Sequence, residues 1–182
     1  MKTDFRKPFN HGLFDVCIID SPWKFSVSLT KNQLKEHRYL NDSTLITINL
    51  EEFTEGLIFV WCVPSKHHIC LKWLKKNNFS VVDEIVWVTM NSTSAKVAYS
   101  TRNLCMNGHK TVLVAEHLTF DRTRLTQVKP KNVIVREKQQ GNTKPMDLHE
   151  ISEMLLPGGK FIELFGCDQT LKNFWVSVRH SF

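Results

Sequence analysis

Apolar and polar residues fall into short blocks along the chain, and these blocks predict strands and helices in turn. Residues 16–19 are an unbroken apolar run, which is typical of a strand buried on both faces. Further apolar runs of strand length predict strands at residues 57–62, 81–90, 111–115, 132–135, 160–165 and 174–178. A short first strand is predicted at residues 4–6.

Apolar residues at helical spacing predict two helices between these strands. The first opens at Pro64 and runs to Lys76, with Trp73 facing inward. The second spans residues 146–156 and ends before a Pro-Gly-Gly sequence. A short helix is also predicted at residues 45–53. The alternation predicts a three-layer, Rossmann-like α/β fold with a mostly parallel sheet, whose last strand is antiparallel and lies at or near one edge.

The strand at residues 16–19 leads directly into residues that can carry chemistry, Asp20-Ser21-Pro22-Trp23. Pro22 cannot continue an interior strand, so the Asp20 carboxylate is presented at the carboxyl end of a buried strand, where open α/β sheets bind ligands. This corner suits an adenine N6 amino group. The Asp20 carboxylate and the Ser21 carbonyl would accept its two N–H bonds, and Trp23 would stack on the extruded base. A strand-ending turn with a buried tryptophan explains the same residues equally well.

The rest of the chain favours the chemical interpretation. Asp20-Ser21-Pro22-Trp23 resembles the Asp-Pro-Pro-Trp motif of the MTA-70 family of adenine-N6 methyltransferases. The resemblance continues in family order through residues 56–61, 82–88, 144–145, 162–166 and 173–175, and so covers nearly all of the chain. As a set these blocks are specific, although each one alone is weak.

The resemblance implies a fold that uses S-adenosylmethionine, lying across the strand ends between Asp20 and Glu163. It implies that Lys144 reaches the carboxylate of the cofactor and that Glu163 binds its ribose hydroxyls. It also implies that Asp4, with the adjacent Phe5, contacts the adenine. These four residues are the predicted cofactor ligands.

Several positions depart from the family pattern. Cys167 and Thr170 stand where active members carry an Arg and an Asn, and His180-Ser181 replaces a closing Asn-Gln pair. Ser21 replaces the first proline of the motif, which removes the fixed φ that rigidifies the corner. Each missing hydrogen bond to a bound ligand costs about 1 kcal/mol or more. We therefore expect this chain to bind the cofactor weakly or not at all, and an active partner to bind it instead.

Composition indicates a single domain spanning residues 1–182. No apolar run approaches the ~20 residues that cross a bilayer, and the N-terminal residues lack the apolar core of a signal peptide. An intracellular protein is therefore expected, and the family resemblance implies the nucleus. The five cysteines are an odd number without a Cys-x-x-Cys pair. This count argues for reduced thiols and against a metal site.

A formal charge of +6 favours an acidic partner, nucleic acid first. Six basic residues near the strand at 132–135 are candidates for binding phosphates if they share one face: Arg122, Arg124, Lys129, Lys131, Arg136 and Lys138. Two long polar segments, at residues 24–55 and 91–110, are expected to serve binding. The family resemblance implies that the second helps to form a subunit interface.

These observations leave three hypotheses. The leading one is a non-catalytic MTA-70-like subunit that supports an active partner in a heterodimer methylating adenine N6 in DNA or RNA. The alternative is an active S-adenosylmethionine-dependent adenine methyltransferase. A plain nucleic-acid-binding module is the third, and it gives no reason for Lys144 and Glu163 to resemble cofactor ligands.

Overall fold

The computed structural model describes residues 12–23, 39–100, 104–138, 143–166 and 172–178. Among them, seven strands form one sheet in the order β5-β3-β4-β2-β1-β6-β7. The strands are β1 Phe14–Ile19, β2 Thr54–Cys62, β3 Phe79–Met90, β4 His109–His117, β5 Val133–Glu137, β6 Phe161–Leu164 and β7 Trp175–Val178. The predicted first strand at 4–6, with Asp4 and Phe5, and residues 24–38 lie outside the described residues.

Three α-helices accompany the sheet in the described residues: α1 Asp42–Leu45, α2 His67–Lys76 and α3 Asp147–Leu155. The helix predicted at 45–53 is instead α1 followed by a separate 3-10 turn, Leu50–Glu52. The residues between them include the β-branched Ile46, Thr47 and Ile48, which lower helix propensity. The side chain of Asn49 then accepts a hydrogen bond from the Glu51 amide and starts the 3-10 turn anew.

Apolar residues on both faces of the sheet are covered, which produces three layers. On one face, Cys17 and Ile58 pack in a cluster with Trp73 of α2. On the other face, Val16 and Phe59 pack in a cluster that includes residues of α3. The predicted three-layer, Rossmann-like α/β fold is therefore confirmed.

Strand direction confirms the mostly parallel sheet but corrects one detail. β7 lies at the edge as expected, yet it pairs parallel with β6. The reversed strand is β4, which pairs antiparallel with both β2 and β3 inside the sheet. The prediction of an antiparallel last strand was wrong because a short apolar run carries no information about its direction. β4 reverses because the described residues between β3 and β4 form no crossover helix, which a parallel connection would need.

The six strands other than β4 all end at the same edge, here called the carboxyl edge, and β4 begins there. Ile18 of β1 pairs with Glu163 of β6, and the Asp20 amide donates to the Leu164 carbonyl at 3.1 Å. The prediction that Asp20 and Glu163 lie on parallel strands at one edge is therefore confirmed. The opposite edge, where β1 begins and β4 ends, is called the amino edge. None of the helices within the described ranges has the length and apolar run that a bilayer crossing requires.

Candidate functional site

An ion pair joins two of the predicted site residues at the carboxyl edge. Asp20 follows β1, and Lys144 lies just before α3. The Lys144 ammonium is 2.6 Å from Oδ1 and 2.7 Å from Oδ2 of Asp20. Only 10% of the Lys144 side chain and 25% of the Asp20 side chain are exposed. Both oxygens of the Asp20 carboxylate, which was predicted to accept one N–H bond of an adenine amino group, therefore already accept a hydrogen bond from Lys144.

The other two groups of the predicted corner also have partners within the protein. The Ser21 carbonyl accepts the Trp23 amide at 2.8 Å, which forms a tight turn. The Trp23 indole N–H donates to the Trp61 carbonyl at 3.3 Å, and its ring meets Trp73 edge-on with centroids 6.5 Å apart. Trp23 is only 3% exposed. Its ring lies in the core and is not presented as an open surface for stacking.

Two tryptophans form the wall of the site on the face of the sheet that α3 covers. Trp61 and Trp87 meet edge-on at 6.0 Å between ring centroids. The Lys144 ammonium stands 5.3 Å from the Trp61 ring, and the Lys110 ammonium stands 4.9 Å from the Trp87 ring. Such cation–π contacts hold a lysine stem against the aromatic wall.

Lys110 belongs to this site, although sequence reasoning placed it only in a loop. It is the second residue of β4, paired with Trp87 of β3. Burial, reinforced by the neighbouring Lys144 ammonium and opposed by Asp20, lowers the pKa of Lys110 to about 8. Lys110 could have been assigned to the site if the direction of β4 had been known, because a reversed β4 begins at the carboxyl edge.

Glu163 lies at the predicted edge but points into the protein. It is 3% exposed, and its Oε2 is 3.7 Å from Nε2 of His149 on α3. The chain after β6 folds back over it, so that a Cβ at Gly166 would collide with the Glu163 carboxylate and with Ser177. Within the described residues, both ring nitrogens of His149 and the Ser177 hydroxyl are buried without a hydrogen-bond partner. The buried polar side chains of His149 and Ser177 therefore lie beside Glu163, the residue predicted to bind the ribose.

The six basic residues do not share one face of the fold. Arg122 and Arg124 lie at the amino edge, where Arg122 chelates Glu116 at 2.6 and 2.7 Å and Arg124 pairs with Asp15. At the carboxyl edge, Arg136 pairs with Asp147 at 3.0 Å, and the exposed Lys138 follows β5. Lys129 and Lys131 are exposed in the loop that leads into β5. These residues therefore do not form one continuous phosphate-binding stripe. The end of β4 and the end of β5 lie at opposite edges of the sheet.

The segment between β3 and β4 exposes apolar side chains. Tyr99 is 59% exposed and Met106 is 66% exposed, and Leu104 is fully exposed. Among the described residues, no three His, Cys, Asp or Glu side chains are grouped to hold a metal ion.

Comparison with known proteins identifies the family. The family model MT-A70, which corresponds to the MTA-70 resemblance above, matches residues 14–180. The chain belongs to the MT-A70 family. MT-A70 is a methyltransferase family, and the use of S-adenosylmethionine is implied for the family in general.

Individual relatives of this MT-A70 chain carry both catalytic and non-catalytic names. The chain is 25% identical over 169 residues to the human "N(6)-adenosine-methyltransferase catalytic subunit METTL3". It is also 25% identical over 183 residues to the zebrafish (Danio rerio) "N(6)-adenosine-methyltransferase non-catalytic subunit METTL14". These matches cover 92% and 91% of this chain but only 28% and 38% of the relatives. The chain thus spans about a third of the length of these relatives.

Two predicted cofactor ligands, Lys144 and Glu163, lie within the described residues of the MT-A70 chain. As they are arranged, their side chains do not fit S-adenosylmethionine, because both are engaged within the protein. The Lys144 ammonium already donates to both Asp20 carboxylate oxygens, so a cofactor carboxylate would have to share this ammonium with Asp20. The Glu163 carboxylate is packed beneath Gly166 and against His149, and Glu163 is only 3% exposed. The remaining predicted contacts and departures, Asp4, Phe5, Cys167, Thr170, His180 and Ser181, lie outside the described residues.

Proposed function

We propose that this chain is a non-catalytic MT-A70 subunit of a complex that methylates adenine N6. One observation supports this most strongly: Asp20, Ser21 and Trp23 use their chemical groups for contacts within the protein. A methyl-acceptor site needs donors and acceptors that are preorganised for the substrate. Here the amino group of the substrate would compete with the Lys144 ammonium for the two carboxylate oxygens of Asp20.

The active enzyme is the second candidate, and one observation favours it. Asp20, Lys144 and Glu163 have the residue types expected for catalysis and cofactor binding, and they stand near one edge on neighbouring elements. If the ion pair opened, Lys144 could bind a carboxylate and Asp20 could bind an amino group. The two candidates therefore differ in whether a ligand can open the Asp20–Lys144 pair.

The proposed complex places an active MT-A70 relative on the segment between β3 and β4. Protein interfaces are enriched in Tyr and Met, and isolated soluble domains seldom expose several large apolar side chains side by side. Tyr99, Leu104 and Met106 supply such side chains in this segment. The catalytic and non-catalytic subunit names of the relatives support a pair of related chains.

The proposed substrate is nucleic acid, with adenosine in RNA favoured over DNA by the names of the relatives. The formal charge of +6 supports a polyanionic partner. The basic residues at both edges would extend the track of the active partner. A nuclear location is proposed on the same family grounds.

Calorimetric titration with S-adenosylmethionine tests the proposal. We expect little or no binding to the isolated chain, whereas a catalytic MT-A70 relative titrated in parallel serves as the positive control. Replacing Cys167 by Arg together with Thr170 by Asn should increase the affinity, because it restores donors that active members use. Low-micromolar binding to the unmodified chain would contradict the proposal and favour the active enzyme.

A further inference from the structure

Two cysteines that the proposed function does not use lie in contact beside the acceptor corner. Cys62 is the last residue of β2, and Cys70 lies in the first half of α2. Their sulfur atoms are 3.4 Å apart and share a hydrogen bond. Cys70 is fully buried, while Cys62 is 5% exposed at the carboxyl edge. A disulfide would require the two sulfur atoms to approach from 3.4 Å to about 2.05 Å, which side-chain rotation and a small shift of α2 would have to supply.

The hydrogen bond makes the two thiols unequal. It lowers the pKa of Cys62, against opposing effects of burial and of Glu84, because the Cys70 thiol stabilises the Cys62 thiolate. The same bond, with burial, raises the pKa of Cys70. Cys62 is therefore the better nucleophile, and Cys70 remains a protonated neighbour that can react second. Cys17 offers a contrast, because burial raises the pKa of its thiol, whose sulfur lies 4.0 Å from the Ile18 carbonyl oxygen.

We propose that Cys62 and Cys70 are an oxidation site that hydroperoxides convert to an intramolecular disulfide. The Cys62 thiolate attacks one peroxide oxygen, the O–O bond breaks, and Cys62 becomes a sulfenic acid. The other oxygen leaves with its substituent and takes a proton from solvent, which gives water from hydrogen peroxide or an alcohol from an organic hydroperoxide. The Cys70 sulfur then attacks the Cys62 sulfur, the S–O bond breaks, and the hydroxyl leaves as water with the Cys70 proton. With hydrogen peroxide, two thiols lose two electrons, and two water molecules form.

The position of the pair connects this oxidation to the corner. The Trp61 carbonyl, one residue before Cys62, accepts the Trp23 indole N–H. Trp73, one helical turn after Cys70, packs edge-on against the same indole. A disulfide would covalently join the end of β2 to α2, the two elements that hold Trp23. Oxidation would therefore fix the support of the Asp20–Trp23 motif.

Peptide mapping without reduction tests the proposal directly. Trypsin cuts after Lys66 and Lys72, so Cys62 and Cys70 fall in different peptides, residues 39–66 and 67–72. After hydrogen peroxide treatment of the folded chain, we expect these two peptides to be linked and a reductant to separate them. Cys62→Ser and Cys70→Ser should each abolish the link, whereas the exposed thiol variant Cys105→Ser should keep it.

The peptide map of the wild-type chain is sufficient to test the proposal. The test therefore remains valid even if a serine variant fails to fold. Sulfinic acid at Cys62 beside an unmodified Cys70 thiol would overturn the proposal, as would oxidation confined to Cys105. Thermal denaturation checks the structural effect. We expect the oxidised protein to melt about 5 °C higher than the reduced one, because the cross-link restricts the unfolded chain. A lower melting temperature would contradict the claim that the link fixes the two elements.

Discussion

The two edges of the sheet hold ion pairs of the same chemistry in very different surroundings. At the carboxyl edge, the side chains of Lys144 and Asp20 are 10% and 25% exposed. At the amino edge, the Arg124 side chain is 48% exposed as it pairs with Asp15, which is 20% exposed. Water and salt screen the second pair far more than the first. The exposed arginine can exchange its partner for a phosphate at little cost, whereas the lysine at the corner cannot.

Under the proposed function, this contrast explains how one domain could lose a catalytic corner and still bind nucleic acid. Separating a largely buried pair leaves a charge without compensation in a poorly solvated place. A ligand that displaces Lys144 from Asp20 must supply that free energy. At the amino edge the same exchange changes the free energy little, so Arg122 and Arg124 could bind the phosphates of a polyanion.

The largest expected effect concerns nucleic-acid affinity. In the reconstituted complex, Arg122→Gln with Arg124→Gln should weaken binding across all sequences and flatten the salt dependence by about two units, because each arginine would neutralise one phosphate. Arg136→Gln with Lys138→Gln makes the matching change at the carboxyl edge. Affinity measured against salt concentration for both pairs shows which edge follows the nucleic acid.

Exposed lysines on α2 provide the charge-matched control for that experiment. Lys72→Gln with Lys75→Gln removes the same charge from an exposed helix surface. If this pair flattened the salt dependence as much as the edge pairs, the binding would reflect net charge alone. The proposed track along the edges would then be refuted.

A smaller effect is expected on stability when the corner pair is broken. Lys144→Met keeps the apolar stem over Trp61 but leaves Asp20 without this cation, which should lower the free energy of unfolding by about 2 kcal/mol. Arg136→Gln breaks the exposed pair with Asp147 and should cost less than about 1 kcal/mol. Urea denaturation measures both. Equal costs would remove the physical basis of the contrast between buried and exposed pairs.

A further effect on stability depends on pH. The folded state lowers the pKa of Lys110 to about 8 from its ordinary 10.5. Between these values the unfolded chain binds a proton that the folded chain does not, so stability due to this residue rises with pH. Below pH 8 the full penalty of burying the charged amine remains. Lys110→Met should therefore lose this rise between pH 8 and 10.5, whereas Lys75→Met on the exposed surface of α2 should keep it. Urea denaturation at a series of pH values measures the difference.

Much of the fold could be predicted from the sequence because burial on both faces leaves unbroken apolar runs. The strand before Asp20 and the helix that ends at Lys76 are examples. The direction of each strand could not be predicted in the same way. The reversal of β4 places Lys110 in the site and puts Arg122 and Arg136 at opposite edges of the sheet. The pairing of Asp20 with Lys144 joins residues 124 positions apart, and no local pattern indicates it. Residue types at the site were therefore predictable, while their partners were not.

Methylation by the reconstituted heterodimer tests the central claim most directly. Asp20→Ala in this chain should leave the methylation rate nearly unchanged, because the proposed chemistry belongs to the partner, and Asp20→Asn repeats the test with a side chain of the same size. The equivalent aspartate change in the partner should abolish activity and shows that the assay responds. Circular dichroism and gel filtration establish that each variant folds and assembles. If Asp20→Ala and Asp20→Asn abolish methylation in an intact complex, this chain is the catalyst and the proposed non-catalytic role is contradicted.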